Sequence, residues 1–161
     1  MEMHLDHDKK KHIETIMRLA EQSRPNESVL THDDVIRNSW MRCIHEHKLD
    51  PTRSQEAIIL PYHQLREHQD QIDDFLHIAR HGLETLYHQV TGLGYAVLLT
   101  DAHGVTVDFI GDIQLDKSLR KAGLYLGSNW NEMVAGTCGV GTCITTGEAL
   151  TVTEPVVALH V

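Results

Sequence analysis

Tyr95-Ala-Val-Leu-Leu-Thr-Asp-Ala-His-Gly104-Val-Thr-Val-Asp-Phe-Ile110 is the stretch whose reading decides the fold. Its first half is a β-rich apolar run that ends at Asp101. Ala102-His103-Gly104 then supplies turn residues. Val105, Val107 and Phe109 alternate with Thr106, Asp108 and Ile110, the period-two pattern of a hairpin partner strand. An antiparallel pair of strands is therefore expected here.

On the N-terminal side, Leu65, Ile72, Leu76, Ala79, Leu83, Leu86 and Val90 recur at spacings of seven, four, three, four, three and four. This heptad seam predicts one helix from Pro61 to Thr91, about 45 Å long at the ordinary helical rise. Such a helix is longer than one side of a small core. Part of the seam packs on the chain's own sheet, and Ile72, Leu76, Leu83 and Leu86 are read as the residues of a homodimer contact.

Earlier still, Ile13, Ile16 or Met17 and Ala20 predict a short helix over about Lys11 to Gln22, ended by Arg24-Pro25-Asn26. Thr31 reads as an N-cap with Asp33 and Asp34 in the first turn. Ile36, Trp40, Cys43 and His47 fall on one stripe of a second helix that runs to about Lys48. Leu49-Asp50-Pro51 breaks it, and Thr52 to Leu60 is read as an irregular connection. Beyond the hairpin, a short helix is expected over Leu115 to Ala122 and a helical turn over Trp130 to Ala135. A glycine-rich loop follows from Gly136 to Gly147, and a third strand from Ala149 to Thr153. The fold class is α+β, divided into an N-terminal helical extension, 1–60, and a long helix with an antiparallel sheet, 61–161.

Composition narrows the function. The 161 residues are 41% hydrophobic and 23% charged, as in an ordinary soluble globular protein. With 14 Lys plus Arg against 23 Asp plus Glu, the formal charge is −9, so no broad basic surface is available for phosphates. Direct contact with nucleic acid is not expected. No apolar run reaches the length of a membrane span, and charges interrupt Met1 to Lys11 where a signal peptide needs an apolar core. A cytoplasmic protein without membrane contact is expected, and its three cysteines would then remain thiols.

Enzymatic motifs are missing. A Walker loop needs Gly, four residues and then Gly-Lys-Ser/Thr, and no Lys follows Lys121. No dinucleotide fingerprint follows the first strand. Cys138 and Cys143 lack the second ligand pair of a zinc site, and His77 and His81, one helical turn apart, lack an accompanying carboxylate set. No Ser or Cys stands in a nucleophile arrangement. No catalytic residue, metal or cofactor is assigned.

The elements Ile36-Arg-Asn-Ser-Trp-Met-Arg-Cys43, Leu49-Asp-Pro51, Leu99-Thr-Asp-Ala-His-Gly104, Trp130-Asn-Glu132, and Gly136-Thr137 with Gly141-Thr142 resemble a known family in their order. They are similar to the N-terminal region of acetoin-catabolism-type regulators, the bacterial activators of sigma-54 RNA polymerase. The resemblance covers about Thr31 to Val152. It implies a GAF domain: an antiparallel sheet with an effector pocket between it and the covering helices and loops. It also implies an acetoin- or alcohol-like effector, with the signal passed to ATPase and DNA-binding domains beyond this sequence. Carried over onto matching positions, Trp130, Glu132, Thr137 and Thr142 are expected at the ligand site, with Cys138 and Cys143 in the same segment.

After Thr151-Val152 the family pattern continues into further strands, whereas Tyr95 to Val161 is too short for a full GAF sheet and its cover. A truncated domain is therefore expected. Two other readings stay open. One is a thiol enzyme on the same fold, resembling free-methionine-sulfoxide reductases, which requires a thiolate with a resolving partner. The other is a dimerisation fragment that binds nothing.

Overall fold

The computed structural model describes residues 10–18, 32–53 and 57–152. Among them are seven helices and a two-stranded antiparallel sheet, a mixed α+β arrangement. The helices are α1 (10–18), α2 (His32–His45), α3 (Tyr62–Asp70), α4 (Asp73–Val90), α5 (Asp116–Lys121), α6 (Glu132–Ala135) and α7 (Gly139–Thr146). The strands are β1 (Val97–Thr100) and β2 (Thr106–Ile110).

The hairpin forms where the alternation predicts it. Val97 pairs with Ile110, Leu98 with Phe109 and Leu99 with Asp108, and the register slips at a bulge between Leu99 and Thr100. Asp101 shapes the turn: its Oδ1 accepts from the His103 and Val105 amides, both at 2.9 Å. Gly104 sits at φ +82, and a Cβ there would lie 2.8 Å from the Asn131 amide nitrogen, so the turn needs glycine twice over. Two more extended segments continue the sheet through isolated bridges, Val105 with Asn129 and Ile59 with Ser128.

The expected helix from Pro61 to Thr91 is two helices. Ile72 leaves the helical region at φ −129, ψ 25, and α4 restarts with Asp73 and Asp74 in its first turn. Two carboxylates favour a helix N-terminus through its dipole, so this sequence stabilises a new start there. The break lets each helix fix itself separately to the hairpin. From α3, His68 Nδ1 lies 2.6 Å from Asp101 Oδ2, and Gln69 Nε2 donates to the Val107 carbonyl at 2.8 Å. From α4, Arg80 pairs with Asp108.

Three further differences have physical causes. The buried face of α2 carries Val35, Ser39 and Cys43, whereas Ile36 and Trp40 are half-buried, because a polar cluster rather than an apolar stripe defines that face. The glycine-rich segment is helix α7, capped by Cys138 Sγ, which accepts from the Gly141 amide, and closed by left-handed Gly147. No strand forms over 149–152. Thr31, Thr153 and part of the first predicted helix lie outside the described residues. The short helix after the hairpin and the turn after Trp130 are present as α5 and α6. Among the described residues no helix is long and apolar enough to cross a membrane.

Candidate functional site

Asn131 caps α6 by accepting from the Met133 amide at 3.0 Å, which places Glu132 in the first helical turn and turns its side chain into the protein. Glu132 is only 2% exposed. A buried carboxylate is costly unless paired and hydrogen-bonded, and α2 supplies both. Arg42 grips it as a fork, Nε to Oε1 at 2.8 Å and Nη2 to Oε2 at 3.1 Å. Ser39 Oγ donates to Oε2 at 3.0 Å, and His47 Nε2 stands 4.0 Å from Oε1.

Thr137 and Thr142 complete the cluster. Ser39 has one proton, given to Glu132, so its lone pairs accept from Thr137 Oγ1 at 2.7 Å and Thr142 Oγ1 at 3.1 Å. Thr142 Oγ1 in turn accepts from the Cys138 amide at 3.3 Å, and Cys43 Sγ lies 3.6 Å from Thr137 Oγ1. Every hydroxyl is used, and the cluster ties α2 to α6 and α7 across more than ninety residues of sequence. Gly141 makes the fit possible: a Cβ there would lie 2.5 Å from both the Glu132 nitrogen and the Trp130 carbonyl oxygen.

Cys43 and Cys138 are not activated as nucleophiles here. Burial pushes the Cys43 thiol up to about 11, with the Glu132 charge adding to the rise. Burial likewise raises Cys138. Both stay protonated near neutrality, the opposite of what thiol attack requires. Among the described residues no group of three or more His, Cys, Asp or Glu side chains is placed to hold a metal ion.

Of the residues expected at a ligand site, Glu132, Thr137 and Thr142 therefore meet, with Cys138 at their border. Cys143 lies half-buried on α7 without a hydrogen bond into the cluster. Trp130 is half-buried, its carbonyl accepts from Cys138 Sγ at 3.3 Å, and its indole Nε1 is buried without a partner. Sequence reasoning left Ser39 and Arg42 without a role. Their only signal was their place in the Ser-Trp-Met-Arg-Cys motif.

The buried hydroxyls of Thr106 and Ser128 also lack a partner among the described residues. Val105 pairs with Asn129, flanked by hydrogen bonds from the Thr106 amide to the Ser128 carbonyl and from the Trp130 amide to the Gly104 carbonyl. Side chains alternate along extended chains, so Thr106, Ser128 and Trp130 share the face opposite to that of Val105 and Asn129. Sequence reasoning named Trp130 but neither of its companions.

Among the residues expected to form a dimer contact, Leu83 is buried inside the chain, Ile72 and Leu76 are half-buried, and Leu86 is exposed.

Comparison with known proteins places these features in a family. The chain is 56% identical over 151 residues, 92% of its length, to the acetoin catabolism regulatory protein of Cupriavidus necator, of which it spans 23%. It is 34% identical over 67 residues, 42% of its length, to a signal-transduction and transcriptional-control protein of Clostridium beijerinckii, of which it spans 11%. The chain thus corresponds to a minor part of two larger regulatory proteins. No solved structure matches it. Residues 20–155 match the MimR N-terminal domain, a span that contains both halves of the Ser39–Glu132 cluster, and the chain belongs to that family.

Proposed function

We propose that this chain is the sensory region of a transcription regulator, a GAF-type domain that takes up a small uncharged hydroxy or keto compound of the acetoin class and performs no catalysis. The observation that carries this reading is the row of Thr106 Oγ1, Ser128 Oγ and Trp130 Nε1, three buried hydrogen-bonding groups without partners among the described residues, on one face of paired segments. Each such group costs about 1–3 kcal/mol when unsatisfied. Three together approach the whole stability of a domain, about 5–15 kcal/mol.

A solute that satisfies them recovers that cost. The indole N–H only donates, while the hydroxyls donate and accept, so a carbonyl beside a hydroxyl matches the set. None of the three carries a charge, and an ionic ligand would be desolvated there without a counter-ion. The name of the Cupriavidus necator relative points to the same class of compound.

In this reading Glu132, Thr137 and Thr142 frame the site. They hold α2 against the segment that begins at Trp130, so a shift of Trp130 on binding would be felt in α2. DNA binding and polymerase activation belong to the remaining length of such regulators, in the cytoplasm.

The test is calorimetric titration of the chain with acetoin, for the parent and for Thr106→Val, Ser128→Ala and Trp130→Phe. Thr106→Val removes an unsatisfied hydroxyl at nearly constant shape. It should raise the stability of the unliganded chain by about 1–3 kcal/mol while weakening acetoin binding about 2- to 10-fold. Equal affinity in the parent and all three variants, or no acetoin binding by the parent, would refute the assignment.

A further inference from the structure

Among the described residues, the α4 helix leaves an apolar stripe uncovered. Its inner face is used by the chain itself, through buried Leu83 and half-buried Leu76 and Ala79. Phe75, Ile78 and Leu86 lie to one side of that face, 55%, 77% and 55% exposed, and at helical spacing they line up with Gly82 between them. Gly82 weakens a helix interior. Nothing among the described residues requires it: a Cβ would meet no atom of theirs within 4 Å, and its φ is not positive.

The geometry points to a second copy of this chain as the partner of that stripe, packed antiparallel about a two-fold axis at Gly82. A two-fold contact must be complementary to itself, and three features of α4 are. Ile78 and Leu86 stand four residues either side of Gly82, so each would meet the other in the opposing copy. The glycine would let the two helix backbones approach closely at the crossing. The acidic charge is also polarised, with Asp73 and Asp74 in the first turn and no acidic residue in the last. Antiparallel packing keeps the Asp73-Asp74 ends of the two copies apart and opposes the two helix dipoles. A parallel pair would set like beside like.

On the opposite flank, Arg80 is engaged by Asp108 and Glu84, and His77 by the Asp73 carbonyl, so those groups serve the single chain. The proposed seam therefore differs from a heptad seam through Leu83. A contact through one helix face is smaller than the roughly 800 Å² per partner of a standard stable complex, so a weak, reversible association is expected.

Sedimentation equilibrium of the chain from about 1 to 300 µM at 0.15 M salt reads this directly; the salt screens repulsion between copies carrying −9 each. The parent should pass from 18.2 kDa towards twice that mass. Ile78→Glu and Leu86→Glu should each raise the dissociation constant at least tenfold with unchanged circular dichroism. Gly82→Ala should weaken the dimer while raising the melting temperature of the monomer. Orientation is read by mixing Ile78→Cys and Leu86→Cys chains under mild oxidation, in a Cys143→Ser background. Cross-links between the two variants support the antiparallel pair, and cross-links only within each variant overturn it. A parent that stays monomeric throughout, or dimers that persist in both Glu variants, would also overturn the proposal.

Discussion

Replacing Arg42 with Met removes the cation from Glu132 while keeping much of the aliphatic volume. The carboxylate, 2% exposed, would then hold only the Ser39 hydroxyl at 3.0 Å, with His47 Nε2 at 4.0 Å. Breaking a buried pair from one side typically costs about 3–5 kcal/mol. Against a domain stability of about 5–15 kcal/mol, this is a third or more of the total in most cases. For a chain of this size about 2–4 °C is lost per kcal/mol, so the melting temperature should fall by about 6–20 °C. Arg42→Met with Glu132→Leu removes both charges. It should recover at least about 2 kcal/mol of the loss, short of full restoration because the Ser39 proton then lacks an acceptor. Urea unfolding followed by far-ultraviolet circular dichroism measures all four chains, and equal slopes against urea licence the comparison. If the two substitutions add to within about 0.5 kcal/mol, the pair is not coupled and the account of the cluster is wrong.

Two further outcomes are expected. Gly141→Ala forces a methyl to within 2.5 Å of two backbone atoms, and should destabilise by about 1–3 kcal/mol or more in the same urea assay, in contrast to Gly82→Ala. The Cys43 thiol, raised from an ordinary 9.0 to about 11, keeps its proton in the folded chain after the unfolded chain has lost it. Stability should therefore be intact below about pH 9 and fall by about 2–3 kcal/mol as pH rises from about 9 to 11. Cys43→Val should flatten that decline, and an unchanged slope would show that Cys43 does not titrate this way.

The hairpin was legible because alternation and a turn signal are local properties, and both lie within Tyr95 to Ile110. The break before α4 was not: Leu65, Ile72 and Leu76 keep heptad spacing across it, and neither Pro nor Gly marks it. The Asp73-Asp74 pair was the available signal, since such residues favour a helix start. Helix α7 was read as loop because Gly139 and Gly141 have low helix propensity. Tertiary packing overrides that propensity, since the approach to Glu132 requires Gly141. The stripe on α2 was placed one residue off because apolar Ile36 and Trp40 were preferred over Ser39. The partner that makes Ser39 an inward residue is Glu132, and no periodicity links positions 93 apart. Thr106 and Ser128 were missed for a related reason: burial of an isolated hydroxyl leaves no pattern along the chain.

The distance in sequence between the two halves of the Glu132 cluster also bears on the order of assembly. Bringing Ser39 to Glu132 closes a loop 93 residues long, whereas the hairpin from Val97 to Ile110 closes a few residues. Loop closure opposes long-range contacts first, so the hairpin and the helices docked on it are the natural nucleus, and the α2 joint forms late. Interactions absent from the transition state act on the rate of unfolding rather than on the rate of folding. The Arg42–Glu132 fork would then act as a latch: it adds little to the speed at which the chain finds its structure, and much to how long α2 stays closed once it is there.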